Sequence, residues 1–352
     1  MTKETEITGK VAGLVVVVLS LVLLTTSCLP PVPQRGEAVR PATIVVYGFS
    51  VEEEVMTEEV FPVFQDYWKG QKGQEVTLQS VFANSDEVTK EILDGASADV
   101  AILSNEQYAV WLRINDWVET DWHTLPHQGI FSRSPIVIVV RPGNPLGIKD
   151  WADLARPGVS LVHPDPRTSG GAQWALLSEY GSALLDEKSG SQKAAHEQLQ
   201  DIWANVVAAP PSAREALKQF VFGVGDALVT YEQDALLAQA RGADLEVVTP
   251  PGTVMSEHLA VIVDNNVKPW EQEVVEAFVA FLWSEAAQEA LTHYYFRAVT
   301  DETLNQAVPE FQEIQQPFTV RDLGGWGQAY PEIIHGAWEE QILKKIDQQT
   351  TK

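Results

Sequence analysis

The chain is poor in several features that would define common classes of protein. It has one cysteine, Cys28, in 352 residues, so it cannot form an intrachain disulfide, and cysteine usage says nothing about redox compartment. Basic residues are scarce. With 24 Lys and Arg against 49 Asp and Glu, the net charge of −25 repels phosphate backbones, and no basic stripe interrupts it, so nucleic acid is not expected as a partner. No GxSxG elbow and no Walker A sequence occur, and "GVGDAL", from Gly223 to Leu228, has only two of the three glycines of a dinucleotide fingerprint. A serine at the surface would therefore lack the setting of a hydrolase nucleophile, and a bound nucleotide cofactor is not expected. There is no internal repeat. The longest apolar run, "VAGLVVVVLSLVLL", spans fourteen residues and falls short of the roughly 20 needed to cross a bilayer.

What the chain does have is an apolar content of 45%, as in a globular protein, and enough length for two lobes at roughly 100–200 residues each. The apolar run follows Lys3 and Lys10 and ends at "TTSCLPP", which reads as a secretory signal. Cys28 follows the small residues Thr26 and Ser27 and resembles the cysteine of a bacterial lipobox, with Thr25 where leucine is usual. Lipidation at Cys28 is the expectation; an uncleaved anchor and an ordinary signal are the alternatives. All three place the folded part outside the cytoplasm, in the periplasm or on the outer face of the membrane. Residues 1–28 are then the signal segment, and the proline-rich "LPPVPQRGEAVRPA", residues 29–42, a tether.

From Thr43 onward, strand-like runs alternate with helical stretches: "TIVVYGF", "VFPVFQDYWKG", "EVTLQSV", "SDEVTKEILDG", "ADVAIL". This order predicts parallel sheet covered by helices. "SPIVIVVRPG", "VSLVH", "DALVTY" and "LEVVTP" continue the pattern, and amphipathic helices follow "HLAVIVD". Ligands of such sheets sit beyond the carboxyl ends of strands, where Ser85, Ser169 and Tyr231 fall.

The stretch "DPRTSGGAQW" leads from strand to helix. Ser169 there is either a plain N-cap or, with Gly170 and Gly171, part of an anion site. The first N–H groups of a helix lack helical partners, and glycine lets backbone approach a ligand closely. His123 and His127 stand four apart but are separated by Pro126, so a surface loop is expected and no metal site. The acidic run "VEEEVMTEEV" reads as a solvated face or helix start. Of the eleven tryptophans, Trp68, Trp111, Trp117, Trp151, Trp174 and Trp283 lie in patterns that suit core packing.

With "SRSPIVIVVRPGNPLGIKDWADLARPGVSLVHPDPRTSGGAQWALLSEYGSAL" in view, the chain resembles the sulfate/thiosulfate-binding proteins of bacterial ABC importers, and the resemblance extends over "ILDGASADVAIL", "GVGDALVTYEQDA", "YYFRAV" and "FTVRDLGGWGQAY". It implies an α/β, two-lobed periplasmic-binding-protein-like (type II) fold, each lobe a mostly parallel sheet flanked by helices, with two hinge crossovers. Lobe 1 would comprise 43–130 and 257–352, and lobe 2 residues 131–256. The implied role is non-enzymatic: a monomer that captures sulfate or a similar tetrahedral oxyanion between its lobes, without a cofactor, and presents it to ABC permease subunits. Residue by residue, the family's ligand positions fall on Ser85, Ser169, Gly170, Gly171, Ala213 and Tyr231.

Two positions depart from the family pattern. Tyr231 stands where the sulfate binders have tryptophan, and molybdate-binding relatives use tyrosine there. Asp86 and Glu87 replace the glycine and lysine that follow the family's serine. Both acids are expected to face solvent; an inward Asp86 would disfavour sulfate and accept the proton of hydrogen phosphate. Molybdate or tungstate and phosphate are thus the rival ligands, and an extracellular hydrolase built on Ser169 the rival class. Because none of the six residues titrates near neutrality, affinity is expected to be nearly flat from about pH 5 to 8.

Overall fold

The structure, a computed structural model, describes residues 40–350. The signal segment, Cys28 and residues 29–39 of the tether lie outside the described residues. Among those described, no helix is long and apolar enough to cross a membrane.

Ten strands form one curled, mixed sheet: β1 (Ala42–Phe49), β2 (Val76–Ala83), β3 (Val100–Leu103), β4 (Ile130–Val140), β5 (Leu161–Val162), β6 (Val206–Ala208), β7 (Ala227–Tyr231), β8 (Glu246–Val248), β9 (Gly252–Ile262) and β10 (Gln316–Phe318). They follow the order β2-β1-β3-β9-β4-β7-β5-β6, with β8 beside β4 and β10 beside β9. The sequence alternation sets this up. In β1 the residues Ala42, Ile44 and Val46 point into the core while their neighbours are half-buried, the period of two that places one face inward. β1 pairs in parallel with β2 and β3, and β5 in parallel with β6 and β7.

Two long strands join the halves. β4 pairs antiparallel with β9 over Ile130–Pro135, then from Ile136 to Val140 pairs with β7. β9 in turn pairs with β10 over Gly252–Val254 before meeting β4 and β3. Each half has apolar packing of its own. Val88, Ile92, Leu103, Tyr108 and Leu112 cluster in the first, and Val137, Val139, Leu217, Phe220 and Leu228 in the second. Full burial of such side chains stabilises by about 1.5–3 kcal/mol each.

The end of the chain packs on both halves, with Tyr330 edge-on to Trp111 of the first at 5.3 Å between ring centroids. Trp326 packs edge-on to Trp174, with ring centroids 4.7 Å apart, and Trp338 against Trp203 at 5.0 Å. Trp174 and Trp203 belong to the helices Gly170–Leu184 and Gln192–Trp203 of the second half. Aromatic burial therefore draws the tail across, an effect that strand alternation does not encode. Trp68, Trp151, Trp174 and Trp283 are buried, whereas Trp111 and Trp117 are half-buried.

Candidate anion-binding site

Two helices begin against each other where the halves meet. The helix Ser85–Leu93 starts after Asn84, whose side chain accepts the Glu87 N–H at 2.8 Å. The helix Gly170–Leu184 starts after Ser169, whose Oγ accepts the Ala172 N–H at 3.2 Å. Ser169 is thus an N-cap in its geometry, and the turn it caps faces the other half of the molecule. The Gly170 N–H donates to Ser85 Oγ at 3.3 Å, and the Ser85 and Ser104 hydroxyls share a hydrogen bond of 2.9 Å. The Asp86 N–H donates to the Thr168 carbonyl at 3.1 Å.

Both glycines are required by close approach. A Cβ on Gly170 would lie 1.8 Å from Ser104 Oγ, and one on Gly171 would lie 2.8 Å from the Tyr231 ring. Tyr231 ends β7 and is fully buried, and its hydroxyl has no hydrogen-bond partner. Burial, followed by the nearby Tyr108, Glu52 and Asp234, pushes this phenol well above its usual range, so it remains a donor.

Ala213 opens the helix Ala213–Val221, with Ser212 as its N-cap. It is linked to the glycine turn through its neighbours. The Pro210 carbonyl accepts the Asp165 N–H at 2.7 Å, and the Pro211 carbonyl accepts the Thr168 hydroxyl at 2.8 Å. Ser85, Ser169, Gly170, Gly171 and Tyr231 are therefore joined by direct approach, and Ala213 by the loop before it. The site is one of neutral donors and helix starts, an arrangement suited to holding an anion.

The acidic pair after Ser85 divides. Glu87 is exposed and bonded to Asn84. Asp86 is half-buried rather than fully solvated, because its backbone is tied to Thr168, and burial raises its carboxyl pKa against the opposing pull of Lys90.

Two buried polar residues that hold the glycine turn, Ser104 and Asn105, escape the sequence reading. Ser104 and Asn105 follow β3; the Ser104 carbonyl accepts the Trp174 indole N–H at 2.7 Å, and the Asn105 amide donates to Gln173 at 2.9 Å. The serine and asparagine closing "AILSN" are the available signal for both.

"VEEEVMTEEV" is not simply a solvated face. Glu52 is fully buried, with its Oε1 3.0 Å from Ser132 Oγ and 3.3 Å from His258 Nδ1. Glu54 bridges to the second half, 2.7 Å from Arg214 and 3.0 Å from Arg241. The helical turn that buries Val51, Val55 and Met56 also turns Glu52 inward, and the arginines draw Glu54 across the gap.

His123 lies near the surface, 2.8 Å from Glu106 and 3.0 Å from Asp121, while His127 adopts a left-handed conformation with φ 50°. Among the described residues, no group of three or more His, Cys, Asp or Glu is placed to hold a metal ion.

A family model for bacterial extracellular solute-binding proteins matches residues 56–297. The sulfate-binding protein of Synechococcus elongatus is 33% identical over 315 residues, covering 88% of this chain and 89% of that one. The thiosulfate-binding protein of Pseudomonas aeruginosa is 32% identical over 275 residues, covering 76% and 82% of the two chains. Among solved structures, the sulfate-binding protein SubI from Mycobacterium tuberculosis superposes with a TM-score of 0.76 at 29% identity, covering 83% of this chain and 99% of that one.

Proposed function

This chain belongs to the bacterial extracellular solute-binding protein family, and from that premise we propose that it captures sulfate, or thiosulfate, between its two halves and presents it to the permease of an ABC importer. The observation that carries the reading is the meeting of the Ser169-Gly170-Gly171 turn with Ser85 and Tyr231. Hydrogen bonds to a charged acceptor are roughly twice as strong as neutral ones, and two helix N-termini add favourable dipoles. A dianion can thus be held without a countercharge. The net charge of −25 matters little there, because surface charges beyond a Debye length of about 8 Å are screened. Ser85, Ser169, Gly170, Gly171, Ala213 and Tyr231 are the proposed ligand set, and no chemical step follows capture. The folded part works outside the cytoplasm as a monomer, held to the membrane through lipid on Cys28. Lobe 1 is built around β1–β3 and lobe 2 around β5–β7, with β4 and β9 as the hinge.

A second reading, capture of hydrogen phosphate, is favoured by the half-buried Asp86 carboxyl beside the glycine turn. Calorimetric titration of the full chain with sulfate and with phosphate, at pH 5.5 and 7.5, separates the two. A site of donors leaves the P–OH proton of hydrogen phosphate unpaired at a cost of about 1–3 kcal/mol, so sulfate should bind tighter by about one to two orders of magnitude. Equal or tighter phosphate binding would assign Asp86 to the site as its proton acceptor, and improved sulfate binding by Asp86→Gly would support that assignment.

A further inference from the structure

The wall behind Tyr231 contains a buried charged cluster that no expected ligand position uses. Glu52 and His258 have no solvent exposure. His258 Nδ1 lies 2.8 Å from Ser132 Oγ and 3.3 Å from Glu52 Oε1, and its Nε2 lies 3.2 Å from Ser256 Oγ. Ser256 Oγ in turn donates to the Ser134 carbonyl, and the Ser134 hydroxyl accepts the Gln233 N–H at 3.1 Å, two residues beyond Tyr231. The imidazole stands edge-on to the Tyr231 ring, with centroids 5.4 Å apart, and Phe49 packs against both rings. Ser132 and Ser134 belong to β4 and Ser256 and His258 to β9, so the cluster sits in the strands that join the halves.

Resting on the sulfate-capture reading above, we propose that Glu52 and His258 are positioning residues of the anion site: they fix the Tyr231 ring and take up a proton when the anion binds. A buried carboxylate–imidazole pair has states that differ by one whole charge, and a charge behind Tyr231 is poorly screened compared with one at the surface. An anion entering in front of Tyr231 favours the more positive state. By linkage, the more positive state favours the anion.

Asp86, half-buried beside the glycine turn, is the other group able to take up a proton, and the Glu52 and His258 variants below separate it from the pair. Facing the pair are the hydroxyls of Ser132 and Ser256, the phenol of Tyr231, and the rings of Phe49 and Phe296. Arg133 and Glu257 follow Ser132 and precede His258, on the other face of their strands, and pair with each other at 3.0 Å. Glu232, next to Tyr231, is held by Arg297 at 2.8 Å, and Asp234 by Arg214 at 3.1 Å. Burial raises Glu52 above the usual carboxylate range, against the opposing pull of His258 and Ser132. Glu52 Oε2 has no hydrogen-bond partner, leaving one carboxyl oxygen free to carry the proton.

The test is calorimetry of sulfate binding to the full chain in two amine buffers of different ionisation enthalpy near pH 7, which counts protons exchanged. Uptake of about 0.2 to 0.5 proton per sulfate is expected, with affinity weakening about tenfold or less from pH 6 to 8, since uptake on binding means that raising pH opposes binding. Glu52→Gln and His258→Gln should bind sulfate more weakly than the wild type and with the uptake abolished. Should either fail to fold, histidine-selective NMR of the wild-type chain reads the same event, as a change in the ring resonances of a buried histidine on adding sulfate. Sulfate binding with zero proton exchange and no such NMR change overturns this inference alone. Proton uptake that persists in folded Glu52→Gln and His258→Gln overturns its assignment to the pair. Absence of sulfate binding overturns both the capture reading and this one.

Discussion

The two halves touch in two chemically opposite ways. At the cradle, contact is made by hydroxyls, glycine backbone and an indole N–H, all buried: Gly170 to Ser85, Ser85 to Ser104, Trp174 to Ser104. At the Glu54 side it is made by full charges, with Arg241 about half exposed and Arg214 and Glu54 about one-fifth exposed. At the Glu54 side water can screen the charges, whereas neutral dipoles line the place proposed for the anion. The contrast teaches that the proposed anion site and the outer contact between the halves rest on different chemistry. The cradle depends on sub-ångström fit, and the ion pairs on a weaker attraction that acts over a longer distance.

The largest effect is expected where fit is tightest. Gly170→Val should weaken sulfate binding at least about a hundredfold, since its Cβ would overlap Ser104 Oγ. Gly170→Ala combined with Ser104→Gly, which removes the overlapped atoms, should recover part of the loss by calorimetry. Equal binding by Gly170→Val and wild type would break the cradle half of the comparison.

Tyr231→Phe comes next. Losing one donor to a charged ligand should weaken binding about ten- to a hundredfold, while removing a buried unpaired hydroxyl should raise the stability of the ligand-free protein by about 1 kcal/mol. Opposite shifts in Kd and in ligand-free Tm are the signature. A parallel loss of both would mean that Tyr231 serves packing alone.

Arg241→Ala should matter least. An exposed ion pair contributes about 1 kcal/mol or less, so binding should weaken under about fivefold, and the difference from wild type should vanish at high salt. A large, salt-independent loss would show that the charged contact fits as tightly as the neutral one.

The parts of the molecule most legible in sequence are those encoded by neighbours along the chain. Alternation in "TIVVYGF" marks β1, the continuous apolar run in "SPIVIVVRPG" marks β4, and the strand-to-helix glycines of "DPRTSGGAQW" mark the turn that the structure sets against Ser85. Charge-run reasoning fails at Glu52 because its surroundings are set by partners distant in sequence. One turn of helix buries it with Val51 and Val55, and its counterpart His258 lies on β9. Ser104 is hidden for a related reason: a serine at a strand end is unremarkable until the turn at Gly170 packs against it.

The return of the tail to the second half bears on the order in which the protein can be made. Synthesis and export deliver the chain from its N-terminus, yet Trp174 and Trp203 are covered by Trp326 and Trp338, and the first half needs β9 to sit between β3 and β4. Trp174 and Trp203 therefore stay uncovered by these partners until residues 326–338 have been made, so the second half is completed late in synthesis.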